Sequence, residues 1–430
     1  MKNEHNAIIA WAMWILAASF FFGHYFIRVI PPLVVEELMS DLSITITTVT
    51  ALISCFLITY TGLQAPAGIM LDRYGSRAIL SSMMLLGALS TYIFASTDIM
   101  WLSYVSRLMF GLCASFSFVG AIKLATNWFP PSKLALLIGL TQTMGMLGAA
   151  ISNQVMPDVI DLIGWRYTMQ YLAIALGVLG ILLGLFVRNK PGQCFRGRDK
   201  KTDKDSKTEK AKEVHDGAVM VVLKCKYTWL TAFFCGLIFA PTVILPESLG
   251  VEYLRNVYAL PKLSASRAMG YIFLGWAVGG PLTGLLSNKL GRRAVMMYAS
   301  LCCAALLSII LFVELKLAAL SFACFSYGLA NSGLVPAYTM AGELHPEKGT
   351  GLSISLSNMV TVLIGMALMP VAGLLLDFLW TGEFLNTGAR HYTATVFKQA
   401  FMFLPILPIL AFFCAYFSME TNKELLLKKK

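Results

Sequence analysis

Long apolar runs recur along almost the whole of this 430-residue chain. A helix needs about 20 apolar residues to cross the hydrocarbon core of a bilayer. Inside that core only helices and closed barrels satisfy their own backbone hydrogen bonds. Twelve runs therefore predict twelve spanning helices, numbered span 1 to span 12, and an even number places both termini on one side. The predicted spans are 8–33, 44–69, 78–97, 99–122, 134–156, 167–187, 227–249, 266–287, 294–313, 317–340, 351–378 and 396–418.

The composition is typical of an all-α polytopic membrane protein. Hydrophobic residues make up 57% of the chain and charged residues only 13%, and the mean hydropathy is +0.70, which no ordinary soluble domain shows. The nine cysteines have no CxxC spacing and lie mostly inside the apolar runs, so we interpret them as packing residues. The first run is too long for a signal peptide and lacks a small-residue cleavage site.

The basic residues predict how the chain is oriented. With a cytoplasmic N-terminus, 25 of the 34 Lys and Arg residues fall in cytoplasmic segments, seven fall outside and two lie within spans. The positive-inside rule then places both termini in the cytoplasm, for a protein of the plasma membrane, here the bacterial inner membrane. Because these loops account for the net charge of +11, we expect the lipid bilayer and no nucleic acid as a partner. We also expect a monomer.

One segment differs from the rest of the chain. Residues 188–226 contain the mixed-charge run KTDKDSKTEKAK (201–212), which has no apolar periodicity and predicts a flexible, solvated linker. The linker separates a first six-span unit, 1–187, from a second unit, 227–430, which includes a short basic tail. A tether near anionic headgroups is one interpretation of the linker, and a regulatory or partner-binding segment is another.

The two units share a weak internal repeat at one constant offset. The loop GIMLDRYGSR (68–77) aligns with GLLSNKLGRR (284–293), and NWFPPSK (127–133) aligns with ELHPEKG (343–349). Both alignments have the same offset of 216 residues, which indicates a parallel duplication of a six-helix unit. Parallel repeats place a substrate site near the bilayer midplane, between the halves. The paired positions are Gly68 with Gly284, Gly75 with Gly291, Arg77 with Arg293, and Pro130 with Pro346.

The first loop, GxxxDRxGxR between spans 2 and 3, resembles the signature loop of the major facilitator superfamily. RLMFG (107–111) in span 4, GWR (164–166) before span 6 and GELHP (342–346) after span 10 are similar to that family as well. The resemblance covers essentially the whole chain. It implies two six-helix bundles related by a pseudo-two-fold axis, with spans 1, 4, 7 and 10 lining a central cavity. A narrower resemblance is to bacterial nutrient and organic-anion carriers and to the lysosomal dipeptide carrier group.

The resemblance assigns gating roles to the charged residues of the signature loops. Asp72, Arg73 and Arg77 are expected to stabilise the outward-facing state through ion pairs rather than to touch substrate. The corresponding loop of the second half carries Arg292 and Arg293. There Asn288 stands where the first copy has its acid, so we expect that latch to be weaker.

Span 1 supplies the leading candidate for a substrate site. His24, Arg28 and Pro31 lie at i, i+4 and i+7 and share one helical face, and Tyr25 lies three residues before Arg28. A guanidinium facing lipid would be costly, so we expect this face to line the cavity, where Arg28 would bind an anionic group. The alternatives are a gate pair with Glu247, which corresponds to Pro31 under the repeat, and a purely structural role.

Further polar residues on the cavity-lining and neighbouring spans complete the predicted site. Arg107 and Lys123 lie on span 4. Arg107 is interpreted either as a proton-coupling residue or as a structural arginine, and Lys123 either as an inner anion contact or as an interfacial lysine. With Glu247, they form the predicted coupling group. His24 is interpreted either as a further proton carrier or as a neutral histidine with satisfied hydrogen bonds. The remaining predicted substrate contacts are Gln142, Tyr327, Asn331 and Asn358.

These features predict a secondary active transporter that works by alternating access. The predicted cargo is a small anionic or zwitterionic solute with a carboxylate, such as an amino acid, a short peptide or an organic acid, taken up together with protons. The alternatives are export of a siderophore or another anionic metabolite and, more remotely, a receptor or sensor that transports nothing. The sequence has no nucleophile–base pair, metal-ligand cluster or phosphate-binding loop, so we expect no enzyme, cofactor or metal.

Overall fold

A computed structural model describes residues 2–129, 134–189, 220–345, 350–384 and 390–422. Within these residues the chain is helical and has no β-strand, only an isolated bridge between Phe384 and Arg390. Ten helices of the described part are long and apolar enough to cross a membrane. The other two predicted spans, 5 and 12, are helical as well. The twelve spans therefore form twelve helices, α1 to α12.

The first six helices occupy the chain up to residue 186. A 3₁₀ turn, Pro31–Leu33, and a short helix, Val35–Asp41, connect α1 to α2, which is interrupted at residue 55. The bounds are α1 Lys2–Arg28, α2 Ile46–Ser54 and Phe56–Tyr74, α3 Ser76–Ser96, α4 Met100–Trp128, α5 Leu134–Ile163 and α6 Trp165–Phe186.

The second set of six contains the more broken helices. The bounds are α7 Lys226–Ile244, continuing through the π turn Leu245–Leu249 into Gly250–Val257, α8 Lys262–Leu290, α9 Arg292–Phe312, α10 Leu317–Asn331 and Leu334–Glu343, α11 Thr350–Phe378, and α12 Ala394–Ala400 and Ile406–Phe417. We expected Pro241 to break span 7. That prediction was wrong, because Pro241 lies inside the helix and the α-helical pattern changes only at the π turn, which contains Pro246.

Helix packing repeats between the two halves. In the first half α1 packs on α5, α2 on α4, and α3 on α6; in the second half α7 packs on α11, α8 on α10, and α9 on α12. The two main helix–helix contacts between the halves are α2 with α11 and α5 with α8, and the repeat converts each of these pairs into the other. The structure is therefore a pseudo-symmetric pair of six-helix bundles, as predicted. The linker residues 190–219 and the paired prolines Pro130 and Pro346 lie outside the described residues.

The signature loops show the repeat at the level of the backbone. Gly75 and Gly291 have φ angles of 82° and 99° and precede α3 and α9, so each is in a conformation that side chains other than glycine rarely adopt. A Cβ on Gly68 would lie 4.0 Å from Val119, and one on Gly284 would lie 3.9 Å from Val335. These two valines are themselves 216 positions apart. Gly75 and Gly291 therefore form tight turns, whereas Gly68 and Gly284 have room for a methyl group.

The RLMFG motif is explained by the crossing of α2 and α4. A Cβ on Gly111 would lie 2.0 Å from the carbonyl oxygen of Phe56 and 2.3 Å from Oγ1 of Thr59. Only glycine permits this approach, and small residues are what allow helix backbones to meet closely in membranes. The contact places Phe56 on α2 next to the buried side chains of α4.

We predict that Gly111→Ala destabilises the folded protein by about 1–3 kcal/mol, since the methyl group must push α2 away from α4. The measurement is the unfolding midpoint of the purified protein in detergent. Gly62→Ala is the matched control, because a Cβ at Gly62 on α2 meets nothing within 4 Å. Equal midpoints for the two variants would contradict the interpretation of the motif.

Candidate functional site

The end of α1 places a cation at the centre of the molecule. The helix ends at Arg28 and the 3₁₀ turn begins at Pro31, which confirms the predicted end of the helix near Pro31. A cation at a helix C-terminus is stabilised by the helix dipole. His24, Tyr25 and Arg28 are all buried, with exposed fractions of 2%, 6% and 4%.

Arg28 forms an ion pair with Glu247. Its Nη2 donates to Oε2 of Glu247, which lies in the π turn of α7. The two side chains are only 5% and 2% exposed. Among the described residues it is the one ion pair with both side chains this deeply buried. It connects the first helix of one bundle to the first helix of the other.

Aromatic rings surround this pair and connect it to a second buried arginine. The guanidinium of Arg28 lies 5.1 Å from the ring centroids of Tyr25 and Phe56, and that of Arg107 also lies 5.1 Å from Phe56. Arg107 donates to the carbonyl oxygen of Ile53 at 3.4 Å. Within the described residues no carboxylate pairs with Arg107, so its charge is balanced only by ring faces and a carbonyl dipole.

His24 completes this cluster. Its ring centroid lies 5.0 Å from that of Tyr25 and 5.5 Å from that of Tyr60. Its Nδ1 lies 3.4 Å from Oγ of Ser117 on α4. The residues of α1 that were predicted to share a face therefore meet the side chains of α2 and α4 in one buried region, which we call the arginine cluster: His24, Arg28, Phe56, Arg107 and Glu247.

A second polar connection crosses between the bundles through Gln64 of α2. Nδ2 of Asn358 donates to Oε1 of Gln64 at 2.7 Å, and the hydroxyl of Tyr338 donates to Oδ1 of Asn358 at 3.1 Å. Gln64 also hydrogen-bonds Tyr60. Asn358 was predicted from the sequence and Tyr60 and Gln64 were not, although two polar residues at i and i+4 in an apolar run indicate a shared polar face.

The other predicted substrate contacts lie elsewhere. The hydroxyl of Tyr327 is 3.2 Å from Oγ1 of Thr242, and Nδ2 of Asn331 donates to the carbonyl oxygen of Ile238 at 2.6 Å. These described hydrogen bonds join α10 to α7 within the second bundle. Gln142 on α5 and Lys123 near the end of α4 are half-buried. Their roles as substrate or coupling residues stay predictions.

Each signature loop is bound to the last helix of its own bundle or to the segment that follows it. In the first bundle the backbone N–H of Arg77 donates to Oδ1 of Asn189 at 2.9 Å, and Nε of Arg77 donates to the carbonyl oxygen of Gly184 at 2.6 Å. Arg73 is exposed, 5.3 Å from the ring of Tyr74. The side chain of Asp72 lies outside the described part of the structure.

In the second bundle the acid absent at position 288 is supplied by other residues. Arg292 donates to Oδ1 of Asn288 at 2.6 Å and pairs with Glu343 of the GELHP motif at 3.2 Å. The carboxylate of Glu420 accepts the backbone N–H groups of Arg292 and Arg293, both at 3.0 Å. The second loop therefore has its own carboxylate contacts, and the strength of either latch stays a prediction.

Most described polar contacts between the bundles lie at one end. We call this the distal end, because it holds the loops after the odd-numbered helices and lies opposite the termini. Besides a contact of Glu37 with Lys262, it contains Glu36–Arg255 at 2.7 Å and Asp158–Arg267 at 3.1 Å, and Asp377 accepts the backbone N–H of Thr47 at 3.2 Å. The bundles are therefore closed against each other at the distal end.

No group of three or more His, Cys, Asp or Glu side chains in the described residues could hold a metal ion.

We predict that Arg28→Ala destabilises the protein by about 3–5 kcal/mol, because it leaves the buried Glu247 carboxylate without its partner. The double variant Arg28→Leu with Glu247→Leu should recover most of this loss, and chemical unfolding of the purified protein measures both. Lys262→Ala is the control for a partly exposed cross-bundle pair and should cost under about 1 kcal/mol. A double variant as unstable as Arg28→Ala would contradict the prediction.

Comparison with known proteins finds relatives whose names describe them as transporters. The chain is 25% identical over 273 residues to the hexuronate transporter of Bacillus subtilis (strain 168), covering 60% of this chain and 61% of that protein. It is 24% identical over 382 residues to the lysosomal dipeptide transporter MFSD1 of Danio rerio, covering 83% of this chain and 78% of that protein. The chain thus matches less than two thirds of the hexuronate transporter.

Solved structures and a family model agree on the fold. A bacterial homolog of the human lysosomal transporter Spinster, in an inward-facing and unoccupied conformation, superposes with a TM-score of 0.75 at 14% identity, over 95% of this chain and 97% of that chain. The family model described as Major Facilitator Superfamily matches residues 13–370 and 249–429. The chain therefore belongs to the Major Facilitator Superfamily and is an integral membrane protein with the twelve-helix fold of that family.

Proposed function

We propose that this protein takes up a small carboxylate-bearing solute together with protons, by alternating access of one site between its two bundles. We also propose that it resides in the plasma membrane, in bacteria the inner membrane, with both termini in the cytoplasm. The distal end then faces outward, and the structure corresponds to a state whose outer side is closed. The observation that carries this proposal is the buried Arg28–Glu247 pair.

The carboxylate of Glu247 occupies the position on Arg28 that a substrate carboxylate would need. A guanidinium offers a planar set of donors that fits a carboxylate, and here an internal carboxylate uses it while connecting α1 to α7. A substrate carboxylate that binds Arg28 would displace Glu247 and break this connection between the bundles. Substrate binding and closure would then compete for the same donors, which couples occupancy to conformation.

The same exchange supplies a route for proton coupling. Once Arg28 turns to the substrate, Glu247 is a buried carboxylate without a cation. Binding a proton removes the cost of burying that unpaired charge. Substrate and proton would therefore bind together, and loss of the substrate would restore the ion pair and release the proton. The names of two relatives, a hexuronate transporter and a dipeptide transporter, support a carboxylate-bearing cargo.

We expect glucuronate or the dipeptide alanyl-alanine to enter proteoliposomes of the wild-type protein faster when the side facing the distal end is acidic. Arg28→Ala should lose binding of any such ligand, and Glu247→Gln should bind it without responding to the pH gradient, because the amide cannot take up the proton. Thermal-shift titration measures binding, and labelled solute with a pH-sensitive dye inside the vesicles measures flux.

Lys262→Ala removes a different cross-bundle pair at the same end and serves as the control, with coupled uptake retained. Unchanged ligand affinity in Arg28→Ala would exclude Arg28 as a substrate contact. Movement of the solute in the direction opposite to the flow of protons would indicate export rather than uptake.

A further inference from the structure

Four buried polar atoms of the arginine cluster have no hydrogen-bond partner among the residues that the structure describes. They are Nε of Arg28, Nε of Arg107, Nε2 of His24 and Oε1 of Glu247. A buried polar atom without a partner costs about 1–3 kcal/mol, and native structures rarely tolerate several together. The concentration of four around one ion pair indicates that this region is built to satisfy a ligand that brings both donors and acceptors.

The four atoms belong to one continuous group of side chains. Phe56 lies 5.1 Å from both guanidinium groups, and the His24 ring lies 6.4 Å from Phe56 and 5.8 Å from Phe110. His24 precedes Arg28 by one helical turn. A small ligand whose carboxylate occupies Arg28 therefore has its neighbouring substituents close to the imidazole of His24.

The hydrogen bonds of Ser117 determine which nitrogen of His24 carries the proton. The Ser117 hydroxyl donates to the carbonyl oxygen of Ala114 at 2.6 Å, so its oxygen is left to accept from Nδ1–H of His24, 3.4 Å away. In a neutral imidazole the other nitrogen, Nε2, then carries a lone pair. The unpartnered Nε2 is therefore an acceptor and requires a donor from the ligand.

The charges of the cluster decide which donor that is. With Glu247 protonated in the ligand-bound state, as the proposed coupling requires, Arg28 and Arg107 contribute two positive charges to the cluster. A ligand with a single net negative charge lowers this excess, whereas a zwitterion leaves it unchanged. An uncharged donor on a carboxylate, that is a hydroxyl group, meets both requirements, and an ammonium group does not.

We infer that the cargo is a hydroxy carboxylate, with its carboxylate on Arg28 and a hydroxyl group donating to Nε2 of His24. This inference rests on the proposed function and narrows its substrate class from carboxylates in general to hydroxylated monoanions. His24 is then the residue that accepts a hydrogen bond from the hydroxyl group, while Arg28 binds the carboxylate.

Two matched ligand sets test the inference by thermal-shift titration of the full-length purified protein. Lactate, propionate and alanine differ only in carrying a hydroxyl group, a hydrogen or an ammonium group beside the carboxylate. 2-Hydroxyhexanoate and hexanoate repeat the first comparison at six carbons. A site that hydrogen-bonds a hydroxyl group rejects the analogue that lacks it, so in at least one set the hydroxy carboxylate should bind about tenfold more tightly or better than its counterparts.

Variants of His24 assign that preference to one atom. His24→Phe should bring the affinity ratio of hydroxy to deoxy ligand close to one, and His24→Gln, whose amide oxygen accepts a hydrogen bond, should retain part of it. His391→Phe makes the same substitution in a partly exposed distal loop where His391 pairs with Glu383, and should leave the ratio unchanged. If His24→Phe does not fold, the comparison of His24→Gln with the wild type carries the test.

Several results would overturn the inference. A preference for the hydroxy ligand that persists in both His24 variants would show that His24 does not bind the hydroxyl group. Alanine binding as tightly as lactate would contradict the charge argument, and a complete lack of binding by both sets would exclude these ligands. If carboxylates bind through Arg28 without preference for the hydroxyl group, the inference fails while the proposed carboxylate transport stands.

Discussion

Burying a charge away from water is costly, and this cost determines which side chains must pair in the interior of this protein. An arginine and a glutamate, each almost fully buried, come from different bundles and satisfy each other. Removing either partner leaves an uncompensated charge in a region of low dielectric constant. The pair therefore holds α1 against the π turn of α7, and the distal ends of the bundles meet above it. Any rocking of one bundle against the other must first give Arg28 and Glu247 new partners.

The scaffold around the pair is symmetric, but its charges are not. Helix contacts, the glycines that begin α3 and α9, and the valines that face Gly68 and Gly284 all repeat at equivalent positions. Under the offset of 216 residues, His24, Arg28 and Arg107 correspond to Ala240, Ile244 and Ala323, all buried and apolar. The duplicated unit thus supplies the helix packing twice, while the buried charges of the arginine cluster lie in the first half, with one acid from the second.

Hydropathy predicted all twelve helices, because the requirement for about 20 apolar residues per crossing is nearly independent of tertiary structure. It located helix ends less well where a helix continues beyond the apolar region, as in α7, which extends to Val257, and α4, which extends to Trp128. Pro241 was misjudged, since a proline inside a membrane helix is tolerated when neighbouring groups accommodate it. Tyr60 and Gln64 were not predicted because they lie on α2, which is not among the helices that the resemblance assigns to the central cavity.

The sequence alone determined that the chain is a helical membrane protein built from two related halves, and that Arg28 and His24 share one face of the first helix. Both follow from periodicity and composition, which are local properties. The tertiary structure decided that Arg28 pairs with Glu247 and not with solvent, and that Phe56 lies between the guanidinium groups of Arg28 and Arg107. It also decided that Gln64 and Asn358 form a hydrogen bond between the bundles. These contacts join positions that are 28 to 294 residues apart, and only the packing of whole helices, set by close approaches such as that at Gly111, brings such positions together.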